Sequence, residues 1–157
     1  MSFRISLGVV PLHQIRRQAP YLADLRGNIP KFIHVSDGNL HDVNVLDVLL
    51  PEAGSFYIMV RGYLDFERLF MLQIAGAFFV IRTNSNTQYQ RRYSRPVDKS
   101  TGVQCDQTVI LTGVKTTKDY SQPLPRIKYY DETTGKTFNF LTNNFAIPAE
   151  TIADLNR

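Results

Sequence analysis

A chain of 157 residues with 43% hydrophobic and 20% charged side chains suits one ordinary soluble domain and is too apolar to stay disordered. Its net charge of +4 is unevenly placed: residues 1–80 hold seven basic and seven acidic side chains, whereas residues 81–157 hold eleven and seven, so the second half carries the whole excess and suits a polyanionic partner. The single cysteine, Cys105, excludes an internal disulfide and fits a reducing cytoplasm, no apolar run is long enough to span a bilayer, and the start, broken by Arg4, lacks the apolar core of a signal peptide.

The first twenty residues form a poorly determined segment. Residues 8–12 read as a short strand or a loop, and Pro11 and Pro20 oppose regular structure across the stretch. From Tyr21 the pattern clears. Residues 21–25 and 31–35 are strand-like and flank Arg26-Gly27-Asn28-Ile29-Pro30, so a hairpin is expected, followed by a turn at Ser36-Asp37-Gly38-Asn39. Residues 42–50 place Val43, Leu46, Leu49 and Leu50 at helical spacing, and Pro51 and Gly54 stop that helix.

Residues 56–60 form a short continuous apolar run, the pattern of a strand buried on both faces. Residues 64–75 read as a helix that buries Phe66, Leu69, Phe70 and Leu72 and closes at Gly76, and residues 77–81 as another buried strand. Residues 31–82 therefore predict β-α-β-α-β, an α/β (α+β) core. After Arg82 the chain becomes polar and turn-rich, with short strands expected near residues 89–93, 108–112, 126–130 and 136–141. The expected organisation is an N-terminal segment (1–20), a partial core (21–82), a β-rich insertion (83–142) and the start of a helix opened by Pro148 (143–157).

Most familiar chemistry is missing. His13, His34 and His41 are scattered with no HxxxH or CxxC pairing, and Asp42 beside His41 reads as a helix cap. There is no GxSxG, no Cys–His pair and no phosphate-binding glycine loop, and Cys105 reads as a passenger thiol. The distinctive stretch is residues 82–97, RTNSNTQYQRRYSRPV. It carries Arg82, Arg91, Arg92 and Arg95 with no acid and interleaves Tyr89 and Tyr93. Guanidinium forks bind phosphate and tyrosine rings stack on unpaired bases, so this stretch points to nucleic-acid contact.

Three stretches together resemble the DDE transposases of bacterial insertion sequences, in the branch whose RNase H-like core carries a β-rich insertion. They are DLRGNIPKFIHVSDGNLHDVNVLDVLLPEAGSFYIM (24–59), VRGYLDFERLFMLQIAGAFFVIRTNSN (60–86) and YYDETTGKTFNFLTNNFAIPAETIADLNR (129–157). The resemblance implies a partial RNase H-like core and two-metal phosphodiester chemistry, in which two Asp and one Glu hold Mg2+ for strand nicking and transfer. It also implies transposon-end DNA, and intact transposase subunits, as partners.

The residues depart from that pattern. The first Asp belongs to a strand ahead of the DLRG stretch, yet residues 1–23 contain no Asp or Glu. The second Asp position is Val60, which has no lone pair to offer a metal. In the Tyr-Arg-Glu-Lys signature the Tyr position is Asn156, and the other three lie beyond Arg157. Asp65 and Glu67 read as capping or solvent-facing residues rather than substitutes. There is no tryptophan to hold an unstacked base, and Tyr129 and Tyr130 are the aromatic alternatives, although tyrosine at a strand position usually packs in the sheet.

These departures predict a transposase fragment truncated at both ends, with no metal site and no cleavage activity of its own; the alternative is a non-catalytic DNA-binding or regulatory remnant that binds transposon ends or an intact transposase, its DNA contacts expected at Arg61, Arg82, Arg91, Arg92, Arg95 and Lys128. Loss of the central first strand is expected to strip residues 21–35 and 56–60 of a shared neighbour and leave a marginally stable chain.

Overall fold

The computed structural model describes residues 3–8, 32–37, 51–59, 61 and 64–155, the first two segments as backbone. Eight strands form one continuous mixed sheet in the order β1-β2-β3-β4-β8-β7-β6-β5. They are β1 (Phe3–Gly8), β2 (Phe32–Asp37), β3 (Phe56–Met59), β4 (Phe78–Arg82), β5 (Tyr89–Arg95), β6 (Val103–Leu111), β7 (Leu124–Asp131) and β8 (Lys136–Thr142). Among the described residues three α-helices accompany them, α1 (Phe66–Ile74), α2 (Val114–Asp119) and α3 (Ala149–Leu155). Both α/β character and the central apolar strands agree with the sequence pattern.

β2, β3 and β4 run parallel, with Phe32 opposite Phe56 and Phe56 opposite Phe78. All four residues of β3 are buried, as a strand covered on both faces must be. The edge expected to open beside residues 56–60 is closed along β3, because β2 pairs with it directly and β4 holds its other side. β1 is a correction. It pairs antiparallel with β2 over Phe3–Gly8, where a poorly determined segment was expected. The prolines that argued against structure come after it, and Arg4-Ile5-Ser6-Leu7 has the polar–apolar alternation of a strand. Ser36 and Asp37, expected in a turn, belong to β2, and Gly38 and Asn39 lie outside the described residues. The predicted strand at 21–25 and helix at 42–50 lie outside the described residues.

The strands expected as a β-rich insertion extend the same sheet. β8 joins β4 antiparallel through Val80–Thr142, Ile81–Leu141 and Arg82–Phe140, and β7, β6 and β5 follow as an antiparallel meander. Strand alternation then sorts the core into two clusters. Tyr57, Met59, Phe79, Ile81, Leu141 and Val109 meet Leu69 and Leu72 of α1 on one face. Phe56, Ile58, Val80, Phe140, Ile127 and Tyr129 meet Ile152 and Ala153 of α3 on the other.

α2 was not expected, because VKTTKD shows no helical apolar face. It is held by Thr117, whose hydroxyl donates to the Gly113 and Leu111 carbonyls. Just after it, Tyr120 is fully buried between the Phe70 and Phe79 rings. Its hydroxyl bonds the Gln73 side-chain oxygen, and burial raises its pKa well above the usual phenol value, so it stays neutral.

The β4–β8 ladder begins only at Val80, so the polar backbone of residues 77–79 on that side needs another partner. Asn143 supplies it. Its Nδ2 donates to the Ala77 carbonyl at 2.9 Å and its Oδ1 accepts the Phe79 N–H at 2.9 Å. Both residues are essentially inaccessible to solvent, so Asn143→Ala would leave a buried donor and a buried acceptor unpaired. The expected loss is about 2–6 kcal/mol, at about 1–3 kcal/mol for each unsatisfied group, read from the midpoint of urea unfolding. A loss under about 0.5 kcal/mol would mean that water or a shifted backbone replaces the amide.

Candidate nucleic-acid interface

α1 starts at a well-formed cap. The Asp65 side chain accepts the Arg68 N–H at 3.1 Å and pairs with the Arg68 guanidinium at 2.9 Å. Both oxygens of the carboxylate nearest in sequence to Val60 are thereby committed to the helix start. Glu67 is exposed in the first turn of the same helix. Among the described residues no three His, Cys, Asp or Glu side chains come close enough to hold a metal ion. Val60 and Asn156 lie outside the described residues. The donors that the structure does describe do not fit a two-Mg2+ centre, which needs several carboxylate oxygens converging on one point. Asp65→Ala should cost about 1 kcal/mol through loss of the cap, measured by chemical denaturation. A stability change near zero combined with a lost metal effect would overturn the capping role.

Past the carboxyl end of β4 lies a cleft of about 250 Å3, bordered by Leu64, Phe66, Asn84, Asn86, Gln88 and Thr116. None of its described lining residues titrates near neutrality, so it offers no general acid or base.

The arginine–tyrosine stretch does not form one patch. β5 is the outer strand of the sheet, and its register against β6 shifts between Arg91 and Tyr93. Before the shift Tyr89 and Arg91 stand opposite Leu111 and Val109, on the face that carries α1 and α2. After it Tyr93 and Arg95 stand opposite Thr108 and Asp106, on the α3 face. A bulge adds one residue to one strand and so turns the following side chains over.

Each arginine acquires a distinct setting. Arg95 pairs with Asp106 at 2.8 Å and donates to the Thr108 hydroxyl at 2.9 Å, so a carboxylate already answers its charge. Arg82, at the end of β4, lies 4.3 Å over the Phe138 ring. Partial burial and then the nearby Arg61 charge hold its pKa below the ordinary arginine value. Arg61 and Arg92 are exposed, as is Lys128 on β7.

The centre of the other face is a residue that sequence clustering missed. Arg126 lies over Tyr89, its Cζ 4.6 Å from the ring centre. Its Nη1 donates to Cys105 Sγ at 3.2 Å and Gln107 Oε1 at 3.0 Å, and its Nη2 to Asn139 Oδ1 at 2.7 Å. All three acceptors are neutral. The guanidinium is thus fixed in orientation while its full charge is left for another partner. No described carboxylate pairs with Arg91, Arg92, Arg126 or Lys128. The register puts Asp106 and Asp131 on the opposite face, so the strand residues around Arg126 include no acid. A fixed cation over an aromatic ring, flanked by amides and a second cation, is equipped to hold a phosphate.

The family model described as "Transposase DDE domain" matches residues 18–157. A protein of Sinorhizobium fredii (strain NBRC 101917 / NGR234) named "Putative transposase y4zB" is 27% identical over 135 residues, covering 84% of this chain and 38% of that protein. The chain therefore spans well under half the length of this curated relative. No solved structure matches it significantly. Among the described residues no helix is long and apolar enough to cross a membrane. With most of its length matched in one continuous stretch, the chain belongs to the family of the transposase DDE domain.

Proposed function

We propose that this chain engages DNA, including the ends of a mobile element, without supplying the metal chemistry that would cut it. The observation that carries the reading is Arg126. It is held by three neutral acceptors on a strand face free of carboxylates, beside Lys128 and Arg91. A guanidinium kept for internal structure is normally neutralised by a carboxylate, as Arg95 is by Asp106. Family membership supports the choice of DNA as the polyanion. Mg2+ is the metal its relatives' chemistry calls for, and the resemblance places Val60 where a ligand is required. On this reading residues 21–82 act as the core and residues 83–142 as the DNA-bearing part. The chain would then act by occupying transposon ends or by joining an intact transposase.

The test is binding and cleavage on the same preparation. Fluorescence anisotropy with a labelled oligonucleotide should show an affinity that falls with salt and survives EDTA, since phosphate contacts release counterions. Arg126→Ala should lower the slope of log affinity against log salt by about one, and the double change of Arg91 and Arg92 to Ala by about two. Arg95→Ala should change it little. Supercoiled plasmid incubated with Mg2+ or Mn2+ should stay uncut. No binding at low salt would remove the DNA reading, and nicking that requires metal would remove the non-catalytic one.

A further inference from the structure

Resting on the DNA reading above, we propose that α2 reads base sequence, lying in the major groove of a duplex whose backbone is held by Arg126 and Lys128. The helix buries none of its six residues, so it adds little to the core on which it stands. It is nevertheless fixed in place. The Thr117 hydroxyl lies 3.0 Å from the Leu111 carbonyl and 2.8 Å from that of Gly113, and Tyr120, just after the helix, is fully buried.

The outward side of α2 carries Val114, Lys115 and Lys118, all exposed. Val114 is 85% exposed, more than any other large hydrophobic side chain among the described residues. No described carboxylate pairs with Lys115 or Lys118. A single exposed valine is ordinary on a protein surface. Its place between two uncompensated lysines and the Arg126 face is what assigns the role. Lysine donates to guanine O6 and N7 in the major groove, and an apolar side chain meets the thymine methyl there.

The register puts phosphate contacts beside this helix. Leu124, the first residue of β7, shares a core cluster with Tyr120. Strand alternation then places Arg126 and Lys128 on the same face, at successive steps of about 6.7 Å from Leu124. The major groove is about 12 Å wide and accepts a helix, so with α2 in the groove these two cations fall where the flanking backbone runs. Six residues of helix span about 9 Å, enough to present the three or four side chains that reach base edges in known groove-reading helices. Cations on β7 thus position the duplex, and α2 discriminates among sequences.

The test is selection from a pool of short randomised duplexes at physiological salt, with sequencing of the fraction that the chain retains. The unaltered chain should enrich a short motif with guanine and thymine positions. Changing Val114 and Lys118 together to Ala should lower the preference for the enriched duplex over the starting pool roughly tenfold, while binding to the pool itself moves less than about threefold. Both side chains are exposed, and matching circular dichroism and unfolding midpoints exclude a folding defect. Retention of the pool with no enriched motif overturns the proposal, as does a preference that the double variant keeps in full. Both of those results leave the DNA reading standing, whereas failure to retain any duplex, even at low salt, removes that reading and this proposal together.

Discussion

The short antiparallel ladder between β4 and β8 is the join on which the rest of the sheet depends. Three residue pairs connect the parallel strands β2–β4 to the antiparallel strands β5–β8, and Asn143 extends the join where the backbone ladder stops. Because a strand's side chains alternate, fixing Ile81 opposite Leu141 decides which face the residues of β8 and, through it, β7 occupy. Leu141 stands opposite Arg126, and Arg126 opposite Gln107, so the register that buries Ile81 under α1 also brings Arg126 among its amide partners. A one-residue slip at β8 would carry Arg126 and Lys128 to the side covered by α3, where charges without partners are costly to bury. Core packing and the cationic face are therefore consequences of one register.

The bulge in β5 does the complementary sorting. Without it Arg91 and Arg95 would share a face and repel one another on the side of Arg126. With it Arg95 reaches Asp106 while Tyr89 slides beneath Arg126. The outer edge of the sheet is also the strand richest in arginine, and charge on an exposed edge opposes pairing with a second chain.

Much of the architecture was legible because it rests on local pattern. The buried strands at 56–60 and 77–81, the helix between them with Asp65 ahead of it, and the four later strands all carry periodicity or turn chemistry that one sequence displays. What escaped lacks such a signal. β1 was obscured by nearby prolines, and α2 has no apolar stripe because its ends are fixed by backbone and threonine bonds. The interface was half legible. The charge excess and the arginines of β5 stand out in sequence, yet their division between faces depends on a bulge that no local pattern marks. Arg126 sits in PRIKYYD, an unremarkable strand, and its partners Tyr89, Cys105, Gln107 and Asn139 come from three other strands. Only the register assembles them.

The separation of β3 from β7 bears on how, on the proposed reading, a chain of this family could lose metal ligands and still hold DNA. β7 lies three strands from β3, or about 14 Å at the ordinary strand spacing. The cationic face and its amide scaffold come entirely from β5–β8, whereas the resemblance assigns the second metal ligand to the residue after Met59. On that assignment a change from Asp to Val would remove a metal ligand, while the described partners of Arg126 all come from β5, β6 and β8. On the proposed reading, cleavage and binding are thus separable losses. Cleavage requires several oxygens to converge on one point and fails when one ligand is gone, because a partly built site places the metal poorly. Binding sums independent phosphate contacts and declines by steps as cations are removed. On that reading a chain under weak constraint would lose the first property long before the second, and an Arg126 cradle without a carboxylate is what such an order of loss would leave.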